Sequence, residues 1–334
     1  MIEHSNILIS PFRVEAINAA ALFFCFLTPF SESFDKMRVS RVGGVIHMTK
    51  IGFIGTGVMG ASIVKHLLKA NYEVTVYTRT KSKAEALIAL GAKWASTPAE
   101  ASMDQDVIFT MVGYPADVLM VYKGVDGIFD TAKNGAIVVD MTTSEPTLAK
   151  KLYEEAKEKA IYSIDAPVSG GDIGAQNGTL SIMVGGDRPI FERLQPIFAV
   201  FGQNIVYQGE AGAGQHTKMC NQIVIASGMI GVCEAIAYGK KAGLDIETVL
   251  KSISSGAAGS WSLSNLAPRM VKEDYAPGFY IKHFMKDMKI ALFEADRMQL
   301  NLPGLTLAKE LYAELMEQGY ENDGTQALVK LYEE

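Results

Sequence analysis

The stretch Lys50-Ile51-Gly52-Phe53-Ile54-Gly55-Thr56-Gly57-Val58-Met59-Gly60 decides the fold. Ile51–Ile54 reads as a short apolar strand, and an amphipathic helix follows the last glycine to about Ala70. Between them stands Gly55-x-Gly57-x-x-Gly60. In a strand–turn–helix setting the first glycine makes a tight turn. The second lets the backbone approach a pyrophosphate, and the third lets helix and strand pack closely. The phosphates then rest on the helix N-terminus. Gly55, Thr56, Gly57, Val58, Met59 and Gly60 are therefore expected to bind a dinucleotide.

Outward from this point, strand and helix signals alternate. Glu73–Tyr77, Val107–Met111, Ala136–Val139 and Ile161–Ile164 read as strands, with helices over Lys81–Leu90 and Pro146–Lys159 between them. Such alternation predicts a Rossmann-type, parallel, doubly wound α/β sheet. A less regular part follows, with Leu180–Val184, a helix near Arg188–Phe201 and Asn204–Tyr207 extending the same sheet. After Gly209 the strand signals stop. Helices are expected from Lys218 to Ala242 and over Asp245–Ser254, Ile281–Met298, Pro303–Gln318 and Thr325–Glu333. The expected organisation is a dinucleotide-binding domain over 48–209 and an all-helical substrate and dimerisation domain over 210–334.

The Lys218–Ala242 run is apolar nearly all round, which marks a buried helix. Near its start Gln215, Lys218, Asn221 and Gln222 share one face, and burying an ammonium and three amides there is costly unless they are used. Lys218, desolvated beside a cofactor, would have its pKa lowered towards neutrality and would suit proton exchange with a substrate hydroxyl. The competing reading is a lysine that reaches back to solvent. Asn221, one turn on, is placed to hold a substrate oxygen. Met219 and Cys220 read as core.

Other loops fall at strand ends, where ligands of such sheets bind. After the second strand come Thr78-Arg79-Thr80 and Lys81, with no carboxylate to hold a ribose 2′-hydroxyl; cations and hydroxyls there favour the 2′-phosphate of NADP over NAD. The bland alternative is a solvated turn. Val112-Gly113 and Thr143 lie at the next two strand ends. Ser169-Gly170-Gly171 offers a hydroxyl and backbone N–H groups that suit a carboxylate. Lys286 is placed to reach an anionic ligand, with Asp287 as the alternative structural partner.

The chain of 334 residues is 49% hydrophobic and 20% charged, as in a soluble globular protein of two domains. Its net charge of −6 gives no reason to expect nucleic acid or an anionic membrane as partner. Three cysteines without a CxxC pair suit a reducing compartment, read as cytoplasmic, and no metal site. Residues 1–47 differ from the rest. Ala16–Phe30 is apolar but short of the roughly twenty residues that span a membrane. Glu3 and Glu15 stand where a signal peptide carries positive charge. The expectation is a non-structural extension or over-extended start, with Met48 directly before the first strand; a targeting segment is the competing reading.

Together these motifs resemble the β-hydroxyacid dehydrogenase family, which includes 3-hydroxyisobutyrate dehydrogenase and tartronate semialdehyde reductase. The resemblance covers Met48 to the C-terminus. It rests on Gly55–Gly60, Asp165-Ala-Pro-Val-Ser-Gly-Gly171, Gly212-x-Gly214-x-x-x-Lys218-x-x-Asn221 and Lys286-Asp287, in that order. It implies that Lys218 is the catalytic acid/base, and that Ser169, Gly170, Gly171 and Asn221 hold the carboxylate and hydroxyl of a small substrate. It also implies that Val112, Gly113, Asp117, Thr143 and Lys286 line the cofactor site. Thr78-Arg79-Thr80 is similar to the Asn-Arg-Thr of NADP-using relatives. Val112-Gly113 departs from the family's usual Leu-Pro. Ile225 stands where the related 6-phosphogluconate dehydrogenases carry a glutamate for decarboxylation, so hydride transfer without decarboxylation is implied. Lys218 argues against an imine reductase. The expected activity is an NADP(H)- or NAD(H)-dependent exchange between a 3-hydroxy acid and its semialdehyde, in a homodimer or homotetramer. The alternative is a non-catalytic dinucleotide sensor or structural dimer with the same fold.

Overall fold

The computed structural model describes residues 39–42 and 45–333. The expectations for residues 1–38, including Ala16–Phe30 and Cys25, lie outside the described residues. At the end of the stretch expected to be non-structural, β1 (Val39–Val42) and β2 (Val45–Met48) pair as an antiparallel ribbon apart from the main sheet. The β-branched residues on either side of Gly43-Gly44 are a hairpin signal that the reading of 1–47 passed over.

The main sheet contains β3 (Lys50–Ile54), β4 (Glu73–Tyr77), β5 (Lys93–Trp94), β6 (Val107–Thr110), β7 (Ile137–Asp140), β8 (Tyr162–Asp165), β9 (Val168–Ser169), β10 (Leu180–Gly185) and β11 (Gly202–Gly209). Their order is β11-β10-β8-β7-β6-β3-β4-β5, with β9 beside β10. Strands β3 to β8 run parallel. They are buried on both faces: Ile51, Phe53, Val107, Phe109, Ile137 and Val139 face one apolar cluster, and Ile54, Ile108 and Val138 face another. Burial on both faces is why these strands read as apolar runs rather than as alternation.

The less regular part extends the same sheet, as expected, but its strands do not all keep the parallel direction. β10 runs antiparallel to β8 and β9, and β11 runs parallel to β10. The chain between β9 and β10 holds only the seven-residue helix Gly171–Asn177, so it turns back at the same end of the sheet instead of crossing its length. The expected helix over Lys81–Leu90 is a 3₁₀ turn (Lys81–Ala84) followed by a short helix (Glu85–Ala89), and Thr325–Tyr332 is 3₁₀ rather than α.

The last strand ends at Gly209 and the long helix starts at Ala213, running 29 residues to Lys241. Its length and apolarity alone would suffice to cross a membrane. Here Met219, Ala226, Met229, Cys233 and Ile236 instead bury against Phe284, Met288, Leu305, Tyr312 and Leu328 as the axis of the helical domain. The helical domain covers only part of the helix surface. Cys220, Val224, Gly228, Gly231, Ala235 and Tyr238 form an exposed stripe at helical spacing, with Val224 72% and Tyr238 76% exposed. Cys220 is thus surface, not core.

Candidate active site

The glycine loop has the shape its spacing implies. Gly55 has φ +102°, and a Cβ there would meet the Met111 carbonyl oxygen at 2.2 Å. A Cβ on Gly60 would meet the Gly55 carbonyl oxygen at 2.1 Å, whereas one on Gly57 would meet nothing within 4 Å. The helix that follows, Val58–Lys69, has no side-chain bond from its N-cap Gly57 and no acid in its first turn. Open space in front of uncapped N–H groups fits a pyrophosphate. The Thr56 hydroxyl, also in the loop, is buried without a hydrogen-bond partner among the described residues. At the end of β4, Thr78 is half-buried while Arg79 and Thr80 are exposed. Arg79 lies 3.6 Å from Asp117, and Asp117 also accepts from the Tyr114 N–H at 3.1 Å, capping the helix Pro115–Lys123. Asp117 is therefore tied to two groups of the protein itself.

The next strand ends join the loop to the helical domain. The Val112 side chain packs on Gly55, and the Val112 N–H donates to the Thr142 hydroxyl at 3.0 Å. Gly113 lies beside Asp117 and the His283 ring. Gln215, wholly buried, donates to the Thr142 carbonyl at 2.7 Å and accepts from the Ser144 N–H at 2.9 Å. The Thr143 carbonyl accepts from the Lys286 ammonium at 2.5 Å. Asp165, at the end of β8, accepts from the Gly212 and Gln215 N–H groups at 2.7 and 2.8 Å. Burial pushes its carboxyl up, against these bonds. Sequence reasoning left Gln215 without a role and Asp165 as a mere motif letter; the structure makes both of them fasteners of the long helix.

Lys218 comes one turn after Gln215 and is 7% exposed. Its ammonium makes no hydrogen bond or ion pair with another described residue. Burial lowers its ammonium pKa to about 8, with the Asp287 charge opposing and the Lys286 charge assisting. An unpaired, desolvated ammonium near neutrality is equipped to give and take a proton at physiological pH. The Ser169 hydroxyl donates to Asn221 Oδ1 at 3.3 Å, so the expected carboxylate loop and the expected substrate-oxygen ligand meet across the domain boundary. Gly170 and Gly171 start the helix Gly171–Asn177, and Gly171 faces the Gly278 carbonyl of the helical domain. The second residue the sequence left unexplained, Gln222, donates to Asp287 Oδ2 at 2.6 Å. Lys286 lies 2.8 Å from Asp287 Oδ1, the ion pair that was its alternative reading, and its ammonium also meets the Thr143 carbonyl.

A Rossmann-type sheet with an open glycine loop, joined to a helical domain that carries a buried lysine, fits a nicotinamide-dependent oxidoreductase. The sequence pattern described as the NAD binding domain of 6-phosphogluconate dehydrogenase matches residues 50–209. The pattern described as NAD-binding of NADP-dependent 3-hydroxyisobutyrate dehydrogenase matches residues 212–332. The chain is 62% identical over 282 residues to the oxidoreductase YkwC of Bacillus subtilis, covering 84% of this chain and 98% of that one. It is 50% identical over 282 residues to a probable mitochondrial 3-hydroxyisobutyrate dehydrogenase-like protein of Arabidopsis thaliana, covering 84% of each. Among solved structures it is similar to Mycobacterium tuberculosis 3-hydroxyisobutyrate dehydrogenase with L-serine, at TM-score 0.79 and 27% identity over 86% of this chain and all of that one. Psf3 in complex with NADP+ is similar at TM-score 0.78 and 27% identity, over 84% of this chain and 99% of that one. The chain belongs to the β-hydroxyacid dehydrogenase family. It is an NAD(P)-dependent 3-hydroxyacid dehydrogenase, and the alternative of a non-catalytic sensor is not favoured.

Proposed function

We propose that the protein interconverts a short 3-hydroxy acid and its semialdehyde with NADP(H) as the preferred cofactor. One observation carries the reading: Lys218 is buried and unpaired among the described residues, with a pKa of about 8, one turn from Asn221. When bound, the nicotinamide accepts or returns the hydride at the substrate carbon. In the oxidation direction neutral Lys218 takes the proton of the substrate hydroxyl, and in reduction the ammonium returns it. Ser169 and the Gly170–Gly171 backbone hold the carboxylate, and Asn221 the reacting oxygen. Ile225, half-buried against the helical core, brings no second acid, which supports hydride transfer without decarboxylation.

NADP is supported by Thr78, Arg79 and Thr80 at the end of β4, and by Psf3, whose complex holds NADP+. The Arg79–Asp117 pair is long and its arginine 83% exposed, so little holds Arg79 away from a 2′-phosphate. The apolar stripe Val224–Tyr238 supports a homodimer or homotetramer, which light scattering tests. Replacing Lys218 with Ala is expected to lower turnover about a hundred- to ten-thousand-fold while leaving cofactor affinity nearly unchanged. Unchanged turnover would reject the role. Initial rates on C3–C4 semialdehydes are expected to favour NADPH over NADH, and Arg79→Ala to narrow that preference.

A further inference from the structure

A chain of hydrogen bonds leads away from the substrate end of the site. The Ser169 hydroxyl donates to Asn221 Oδ1 at 3.3 Å, Asn221 Nδ2 donates to Gln222 Oε1 at 2.7 Å, and Gln222 Nε2 donates to Asp287 Oδ2 at 2.6 Å. Every donor points towards Asp287. The order follows from its last member. A carboxylate only accepts, so Gln222 must offer it an NH₂ group. The Gln222 carbonyl then faces Asn221, which must offer its own NH₂ in turn. That leaves the Asn221 carbonyl facing Ser169, whose hydroxyl must donate. Gln222 and Asp287 are each 1% exposed, so water is in no position to substitute at the inner links. Lys286, 2.8 Å from Asp287 Oδ1, sets a positive charge against the far end of the chain.

We propose that Asp287 and Gln222 are positioning residues that fix the polarity of this chain, so that Asn221 presents its carbonyl oxygen, not its NH₂ group, beside Ser169. The consequence concerns the form of substrate that is bound, and it rests on the reading of Ser169 and Asn221 as substrate ligands. A substrate carboxylate draws the Ser169 hydroxyl proton to itself. While Lys218 is an ammonium, the Asn221 carbonyl is then free to accept from the substrate's own hydroxyl; for oxidation that one proton turns from Asn221 to the neutral Lys218 amine. A hydroxy acid carries that donor; its semialdehyde does not. The fixed polarity therefore favours the alcohol over the aldehyde at the Asn221 oxygen, and leaves the aldehyde oxygen to the Lys218 ammonium.

Asp287→Asn is nearly isosteric and removes the obligatory acceptor. The introduced amide can then donate, both neighbouring amides can invert, and Asn221 can turn its NH₂ group to the substrate. The KM for the hydroxy acid is expected to rise about tenfold, and that for the semialdehyde by less than about threefold. A second variant, Asp287→Asn with Gln222→Glu, places an obligatory acceptor next to Asn221 and is expected to recover at least about threefold of the loss. Equal changes in both KM values, or no recovery in the double variant, would show a merely structural role and overturn the proposal. Neutron diffraction of the unsubstituted, unliganded protein reads the polarity without turnover. Deuterons on Asn221 directed at Gln222, and on Gln222 directed at Asp287, are expected, and the reverse orientation refutes the proposal. Polarity as expected with no turnover of any 3-hydroxy acid would fault the substrate reading alone.

Discussion

Two helices of this molecule begin beside glycines at strand ends, and their free N–H groups are met in opposite ways. The long helix follows Gly212 and has the Asp165 carboxylate set against it, accepting at 2.7 and 2.8 Å. The helix Val58–Lys69 follows Gly57 and has neither a capping side chain nor an acid in its first turn. An unmet helix end attracts an anion, and a buried one is costly. The long helix begins inside the protein and is closed by an internal carboxylate. The other opens on Gly57, which is exposed, and is suited to an anion from outside. One end is therefore built to stay rigid under Lys218, and the other to bind something that enters and leaves.

The comparison breaks hardest at Asp165. Asp165→Ala leaves the Gly212 and Gln215 N–H groups buried without an acceptor, an expected loss of about 3 kcal/mol. Urea unfolding measures it; a loss below about 1 kcal/mol would mean that the closed end does not depend on its carboxylate. The open end answers differently. Gly57→Ala meets no protein atom within 4 Å and has φ −68°, so stability is expected to hold, while the Cβ intrudes on the pyrophosphate and raises cofactor KM about tenfold. Gly60→Ala is its converse. The Cβ would meet backbone at 2.1 Å, so thermal stability is expected to fall before cofactor affinity is at issue. If both variants lost stability equally, Gly57 would be a structural glycine like its neighbours.

How far these ends were legible depends on the range of the contacts. The open end is local: strand, three glycines and helix follow one another directly along the chain, and spacing alone carried the reading. So did the apolar runs of β3, β6 and β7, because burial on both faces marks every residue of a strand. The closed end is not local. Gln215 meets Ser144 and Thr142 across 71 and 73 residues, and Asp165 reaches Gly212 across 47. Its polar residues signalled a site by their cost, but the sequence names no partner for them. The Asn221–Gln222 bond was hidden for another reason. Adjacent helical residues point about 100° apart, so spacing separates what the side chains join. β5 and β9 have two residues each, too few for any period. Cys220 reads as core because an apolar residue has the same signature beneath a neighbouring helix and on an uncovered face.

The smallest effect tests whether the rigid end also tunes its lysine. In the oxidation direction neutral Lys218 is the active form, so kcat/KM is expected to rise with pH and level off above about 8. In reduction the ammonium is active, and the rate is expected to fall through the same region. Lys286 lowers the Lys218 pKa by like charge, and Asp287 raises it. Lys286→Met removes the first influence and leaves the second with no ammonium beside it. The midpoint should therefore move to higher pH in both directions of reaction, and not merely lose amplitude. A midpoint that stays put while cofactor KM rises would confine Lys286 to the Thr143 loop. Lys218 would then owe its low pKa to burial by the closed end of the helix alone.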